Sequence, residues 1–317
     1  MLLSTMDWYD HVFLTRDLAT PGERSAFFAR ARRGQLIAIY RGVYVEASEW
    51  HSMDRHAQSR ARVKAASLLA PPGTVFSHQS AAALWRLPSV GAWPVKAHVL
   101  AAVSAGGRST GVFERHTIGA SSAAMIIEGV HVTTLARTVV DLASRESFGH
   151  AVAVADAALH RAAHPVDGLP AAPVTRDDFF RELESIPLKH GSVMARRVID
   201  FADGAADRPG ESMSRVGMHL ARLTPPRLQV SLAGASGRIY IVDFWWPEFN
   251  MIGEFDGRGK YSDPQFLRGR TPEQTLYDEK LREDDLRSAG HGMTRWNWAL
   301  AISPARLSGH LRAAGIR

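Results

Sequence analysis

The chain has 317 residues, enough for two or three domains each with its own core, and a composition of 45% hydrophobic and 22% charged residues excludes bulk disorder. It contains no cysteine, which rules out disulfides and any thiolate zinc site. A formal charge of +6 and a pI of 9.9 favour an acidic polyanion as partner, because Lys and Arg that neutralise phosphates release counterions, although free use of arginine gives the same balance.

Met1 to Trp8 lacks a basic region followed by a long apolar run, and no uninterrupted apolar stretch nears membrane-spanning length. The expectation is an unexported, cytoplasmic protein with no membrane partner. Residues 1–70 read as a small DNA-binding unit. Thr15 to Ala19 starts one helix, Pro21-Gly22 breaks it, and Glu23 to Arg33 forms a second with Phe27, Phe28 and Ala31 on its apolar side. Leu36 to Tyr40 and Val43 to Val45 flank Arg41-Gly42 as a short β-wing, so the whole is a winged helix-turn-helix. Arg24, Arg30, Arg32, Arg33 and Arg41 fall on the second helix and the wing, where such proteins approach the major groove and phosphates; a solvated amphipathic helix would carry the same arginines. The phrase Arg41-Gly42-Val43-Tyr44-Val45 resembles the amino-terminal winged-helix domain of abortive-infection-type antitoxins of type IV toxin–antitoxin systems. The resemblance implies operator binding or support of repression, and a cognate toxin as a protein partner.

Residues 71–163 form an α+β middle region. An alanine-rich helix follows Ser77-His78-Gln79-Ser80; Val95 to Val103, Gly111 to Thr117 and Ile126 to Val132 read as strands, and Thr134 to Ser144 and Phe148 to Ala162 as helices. Ser77 to Ala82 and Thr133 to Thr138 again resemble the middle of the antitoxin-like family. His78, His98, His116 and His131 have no ligand-type spacing and read as structural. No Walker loop is present, since Gly106-Gly107-Arg108-Ser109 lacks the lysine. Residues 164–209 read as a linker and helical connector, bounded by a proline-rich stretch and by Gly204 to Gly210, with helices over Asp177 to Leu183 and Gly191 to Phe201.

Residues 210–317 carry the chemistry. A helix from Glu211 to Leu223 precedes a strand at Leu228 to Leu232 and a hairpin of Ile239 to Trp245 and Met251 to Phe255. Thr271-Pro272-Glu273-Gln274 opens a helix to about Ser288; a strand over Met293 to Trp298 and a helix at Ser303-Pro304 follow. Side chains alternate along a strand, so Glu254 and Asp256 share a face, and Asp243 meets them across the ladder. Crowded carboxylates repel, and a hard cation such as Mg²⁺ or Mn²⁺ relieves them; a solvated strand face is the plainer alternative.

The order Asp243, hairpin, Glu254-x-Asp256-Gly257, Lys260 resembles the catalytic hairpin of the PD-(D/E)XK nuclease superfamily. Gly253 to Gly257 with Lys260-Tyr261, Glu279 to Asp284 and Arg295-Trp296-Asn297-Trp298 resembles the very-short-patch-repair-endonuclease-like domains of actinobacterial proteins. The resemblance implies a multi-domain α/β protein ending in a restriction-endonuclease-like αβββαβ core, with DNA as substrate. Asp243 and Glu254 would hold Mg²⁺ (or Mn²⁺) with Glu211 as an extra ligand from the first helix, and Asp256 would hold a second ion or orient water. Asp256 stands where the superfamily carries its lysine, so that charge must come from Lys260 or, second, Lys280. An alternative reading is a repressor or antitoxin whose nuclease fold is catalytically idle.

Overall fold

The computed structural model describes residues 12–101, 109–116, 123–188, 190–257 and 271–317. The chain is mixed α/β and divides into two compact units, one of residues 1–146 and 164–199 and the other of residues 147–163 and 200–317. Among the described residues no helix is long and apolar enough to cross a membrane.

In the first unit β1 (Val12–Leu14) and a single 3-10 turn at Thr15–Asp17 lead into α1 (Pro21–Arg32). Residues 12–33 thus hold one α-helix rather than the two expected. Pro21 does not break a helix but begins one: it occupies the first turn, where a missing N–H costs nothing, and Thr20 and Glu23 close a reciprocal capping box. β2 (Leu36–Tyr40) and β3 (Val43–Glu46) form the expected hairpin, turning at Gly42 (φ +85°), in a sheet of order β1-β3-β2. Phe27 is buried edge-on against Phe13, Phe28 and Tyr44, which seats α1 on this sheet.

α2 (Ala47–Ser52), α3 (Arg55–Ser67) and the fully buried alanines of α4 (His78–Leu84) follow. β4 (Ala97–Leu100) pairs parallel with β5 (Phe113–His116), and β6 (Ala124–Ile127) antiparallel with β7 (Val130–Thr133). The segment expected as one strand over Ile126 to Val132 is therefore a hairpin. Glu128 (φ +49°) and Gly129 (φ +79°) supply two successive left-handed residues, the conformation a two-residue turn requires. Thr134 caps α5 (Leu135–Ala143).

α6 (Phe148–His160) belongs to the second unit, whereas α7 (Arg176–Ser185) and most of α8 (Ser192–Phe201) belong to the first. The reason is packing: α6 lies on α9 (Pro209–Leu220), with Gly149 against Met213 and Val216, and its buried Asp156 accepts from Arg215 at 2.7 Å. β8 (Arg227–Ala233), β9 (Ile239–Trp246), β10 (Met251–Asp256) and β11 (Gly292–Asn297) make a sheet of order β11-β10-β9-β8. β8, β9 and β10 pair antiparallel; β11 pairs parallel to β10, a connection that needs the crossover helix α10 (Pro272–Ser288). α11 (Trp298–Ala301) and α12 (Pro304–Ala313) end the chain. Phe244, Trp246, Phe255 and Trp296 pack with Met218 and Leu307 in one core, and Val242, Ile252 and Met293 pack with Leu286 of α10 in another.

Candidate functional site

The acids of the second unit are placed by a break in strand alternation. Phe244 and Val242 would share a face in a regular strand, yet they enter different cores. The pairing of β8 with β9 skips Gln229 and Asp243, and Gln229 has φ +50°, a strained conformation for a residue with a Cβ. The kink turns both polar side chains toward the start of α9. There Gly210 meets β10 so closely that a Cβ would lie 2.0 Å from the Phe255 ring. Glu211, the next residue, is 3% exposed, and its Oε2 accepts from Gln229 Nε2 and from the Asp207 N–H, both at 3.1 Å. Burial, and then the charge of Asp243, push the Glu211 carboxyl up to about 8. Asp243 Oδ2 accepts from the Phe255 N–H at 2.9 Å. Phe244 pairs antiparallel with Gly253, so the next step of the same register sets Asp243 opposite Glu254.

The other two acids of the hairpin are met by arginines. Glu254, 2% exposed, lies 3.0 Å from Arg282 Nη2. Arg282 is also held by Glu279, at 3.2 and 3.1 Å, and donates to the Ile241 carbonyl at 3.3 Å. Asp256 is gripped at both oxygens by Arg295, at 3.1 and 2.6 Å, and Arg295 further reaches Glu279 and Glu283. Burial works against the charge on both guanidiniums, but the surrounding carboxylates more than offset it and hold both above the ordinary arginine range. Lys280 is exposed, and with Asp256, Tyr277, Glu283 and Arg295 it lines a cleft of about 700 Å³. Lys260 lies outside the described residues.

Of the expected site residues, Glu211 and Asp243 are thus brought together, with Glu254 on the neighbouring strand, whereas Asp256, expected to face a second ion or a water, is tied to Arg295. No group of three His, Cys, Asp or Glu among the described residues converges as a metal site. The residues that could hold a hard cation are Glu211 and Asp243, two carboxylates from different elements that repel each other, with Glu254 opposite Asp243 on the neighbouring strand; Mg²⁺ commonly takes one or two carboxylates and completes its shell with water and phosphate.

In the first unit Arg24, Arg32, Arg33 and Arg41 are exposed. Arg24 donates to the Leu18 carbonyl at 3.3 Å. Arg30 is partly buried, pairing with Glu46 at 2.5 Å and lying over the Phe13 ring, so it anchors α1 to the sheet.

A cluster not read from sequence gathers His78, His98 and His116. His116 stacks on His78 with centroids 3.7 Å apart, and its Nε2 lies 2.9 Å from His98 Nδ1. His78 Nδ1 lies 3.0 Å from Ser77 Oγ and 3.7 Å from Asp141, which is paired with Arg137. Parallel rings send their lone pairs into separate planes, so one ion cannot satisfy both. Burial lowers all three histidines, His116 to about 3. His131 is exposed on β7 and its ring does not join them. Three histidines from one helix and two strands, with no local spacing between them, leave no signal in the sequence.

No protein-family model matches the chain. An uncharacterized protein of Mycobacterium tuberculosis, Rv2248 in one strain and MT2308 in another, is 34% identical over 84 residues, 26% of this chain and 31% of the relative. The match spans less than a third of the relative's length.

Proposed function

We propose that the chain is a DNA-binding protein of the cytoplasm whose second unit is a metal-dependent endonuclease of PD-(D/E)XK type, hydrolysing DNA phosphodiesters in defence or repair. The observation that carries this reading is the convergence of Glu211 from α9 and Asp243 from β9 at the kink opposite Gln229, one strand from Glu254. The succession α9, β8, β9, β10, α10, β11 supports it, being the order of a restriction-endonuclease-like core. Asp243 and Glu254 would hold Mg²⁺ or Mn²⁺, with Glu211 as the further ligand from α9. An ion held there would supply Lewis acidity toward a phosphoryl oxygen and toward the attacking water. Lys280, exposed beside Asp256, supplies positive charge to the phosphate as the P–O bond breaks. In the first unit, α1 and the β2–β3 hairpin serve as a winged DNA-reading element, with Arg24, Arg32, Arg33 and Arg41 on phosphates.

A second reading is favoured by the ion pairs Arg282–Glu254 and Arg295–Asp256, which occupy two of the acids. It makes the chain a transcriptional repressor or antitoxin with an idle nuclease fold and a cognate toxin as partner. Cleavage of plasmid, linear and single-stranded DNA with Mg²⁺ and Mn²⁺ separates the two, run beside a mobility-shift assay on the protein's own promoter. Asp243→Ala or Glu254→Ala is expected to lower cleavage at least ~100-fold and to leave DNA affinity within about twofold, since removing a group that acts in the transition state costs several kcal/mol. Absence of cleavage with either metal removes the hydrolase reading, and a promoter shift then leaves the repressor.

A further inference from the structure

We infer that Arg282 is a built-in competitor for the metal: its guanidinium occupies the cation position at Glu254 and keeps the site from loading until a phosphate draws it away. The inference rests on reading these acids as a metal site. Glu254 is among the most buried charges of the second unit, and a carboxylate so deep stays ionised only with a cation or several donors beside it. The cation in place is Arg282 Nη2, 3.0 Å from Oε1. The guanidinium is only partly buried and has a second home, because its Nε and Nη2 fork onto Glu279 on its own helix. It can therefore give up Glu254 without losing every partner, which a fully enclosed arginine could not do. A DNA phosphate offers Arg282 the same bidentate geometry as a carboxylate. Binding of DNA and binding of the metal then favour each other, as reciprocal coupling requires.

Arg295 provides the comparison. It carries the same charge in the same part of the unit but is committed to Asp256 and reaches Glu279 and Glu283 instead of Glu254. If Arg282 acts by occupying the site, only its removal opens the site; if nearby positive charge merely repels ions, removing either arginine has the same effect.

The experiment titrates the full chain with Mn²⁺ in the absence of DNA, reading free Mn²⁺ by electron paramagnetic resonance and the rise in Tm on the same samples. Arg282→Gln is expected to bind Mn²⁺ at least about tenfold more tightly than the wild type and to show the larger Tm rise, whereas Arg295→Gln stays within about threefold of the wild type. Arg282→Lys keeps a positive charge for Glu254 without the fork and covers the case in which Arg282→Gln fails to fold; it is expected to bind Mn²⁺ more tightly than the wild type and less tightly than a folded Arg282→Gln. Equal affinities for wild type, Arg282→Lys and Arg282→Gln, or equal tightening in Arg295→Gln, overturn the inference. If that happens while the wild type cleaves DNA, the hydrolase reading stands alone. If Arg282→Gln tightens while the wild type never cleaves, the competitor role stands and the hydrolase reading falls. If nothing binds Mn²⁺ and nothing is cleaved, both are lost.

Discussion

His116 stacks on His78, and the two share their surroundings with His98, Asp141, Arg137, Arg145, Glu114 and Glu146. Each imidazole is held neutral, its folded value below the ordinary histidine range. A histidine lowered in this way contributes stability that is complete above about pH 6.5 and is lost as pH falls toward its folded value, about 3 for His116. Asp141 has the opposite sign: burial raises it to about 6, so its contribution is present in acid and lost as pH rises through that value. Substituting a single histidine isolates the first effect. Between about pH 7 and pH 5 the wild type is expected to lose up to about 2 kcal/mol more than His116→Gln, measured by urea unfolding at both pH values. Equal losses would mean that the ring is not held neutral.

Gly210 decides whether α9 can carry Glu211 to Asp243. It lies in the first turn of α9, against the Phe255 ring, so Gly210→Ala forces a methyl into space that is already filled. Overpacking of this kind costs about 1–3 kcal/mol, and the displaced helix takes Glu211 with it. The expected outcome is a lower urea midpoint together with weaker Mn²⁺ binding. Gly309→Ala is the control: it lies on α12 with no atom within 4 Å of the added methyl, and it should gain up to about 1 kcal/mol from helix propensity. Helix starts such as Thr271-Pro272-Glu273-Gln274, and the strand order of the hairpin, are legible in the sequence because caps and alternation are local signals. The kink at Gln229 and Asp243 is not, since a left-handed glutamine carries no composition mark. Nor are the clamps on Glu254 and Asp256, whose arginines arrive from 28 and 39 positions along the chain and depend on the crossover that makes β11 parallel to β10. Thr20-Pro21 misleads for a different reason: the same proline that ends a helix also suits its first turn, and only the capping box decides.

At the scale of the molecule, the positive balance of +6 and the acids of the second unit make separable demands. Exposed arginines on phosphates would contribute affinity that weakens with salt, whereas a site of carboxylates and a metal would act on the rate of bond breaking. The two contributions therefore answer to different measurements on one full-length protein. Replacing Arg32, Arg33 and Arg41 together by alanine should lower DNA affinity at every sequence tested. It should also reduce the slope of log K against log salt by about 0.9 for each phosphate no longer neutralised, or about 2.7 if all three arginines reach one. Cleavage at saturating DNA should stay unchanged, because none of these side chains belongs to the unit that holds Glu211, Asp243 and Glu254. Glu254→Ala should do the reverse, leaving the salt slope intact and abolishing turnover. Should the triple variant keep the wild-type slope, α1 and the β2–β3 hairpin would not be the surface on which DNA lies, and the basic balance of the chain would have to be explained by arginines elsewhere.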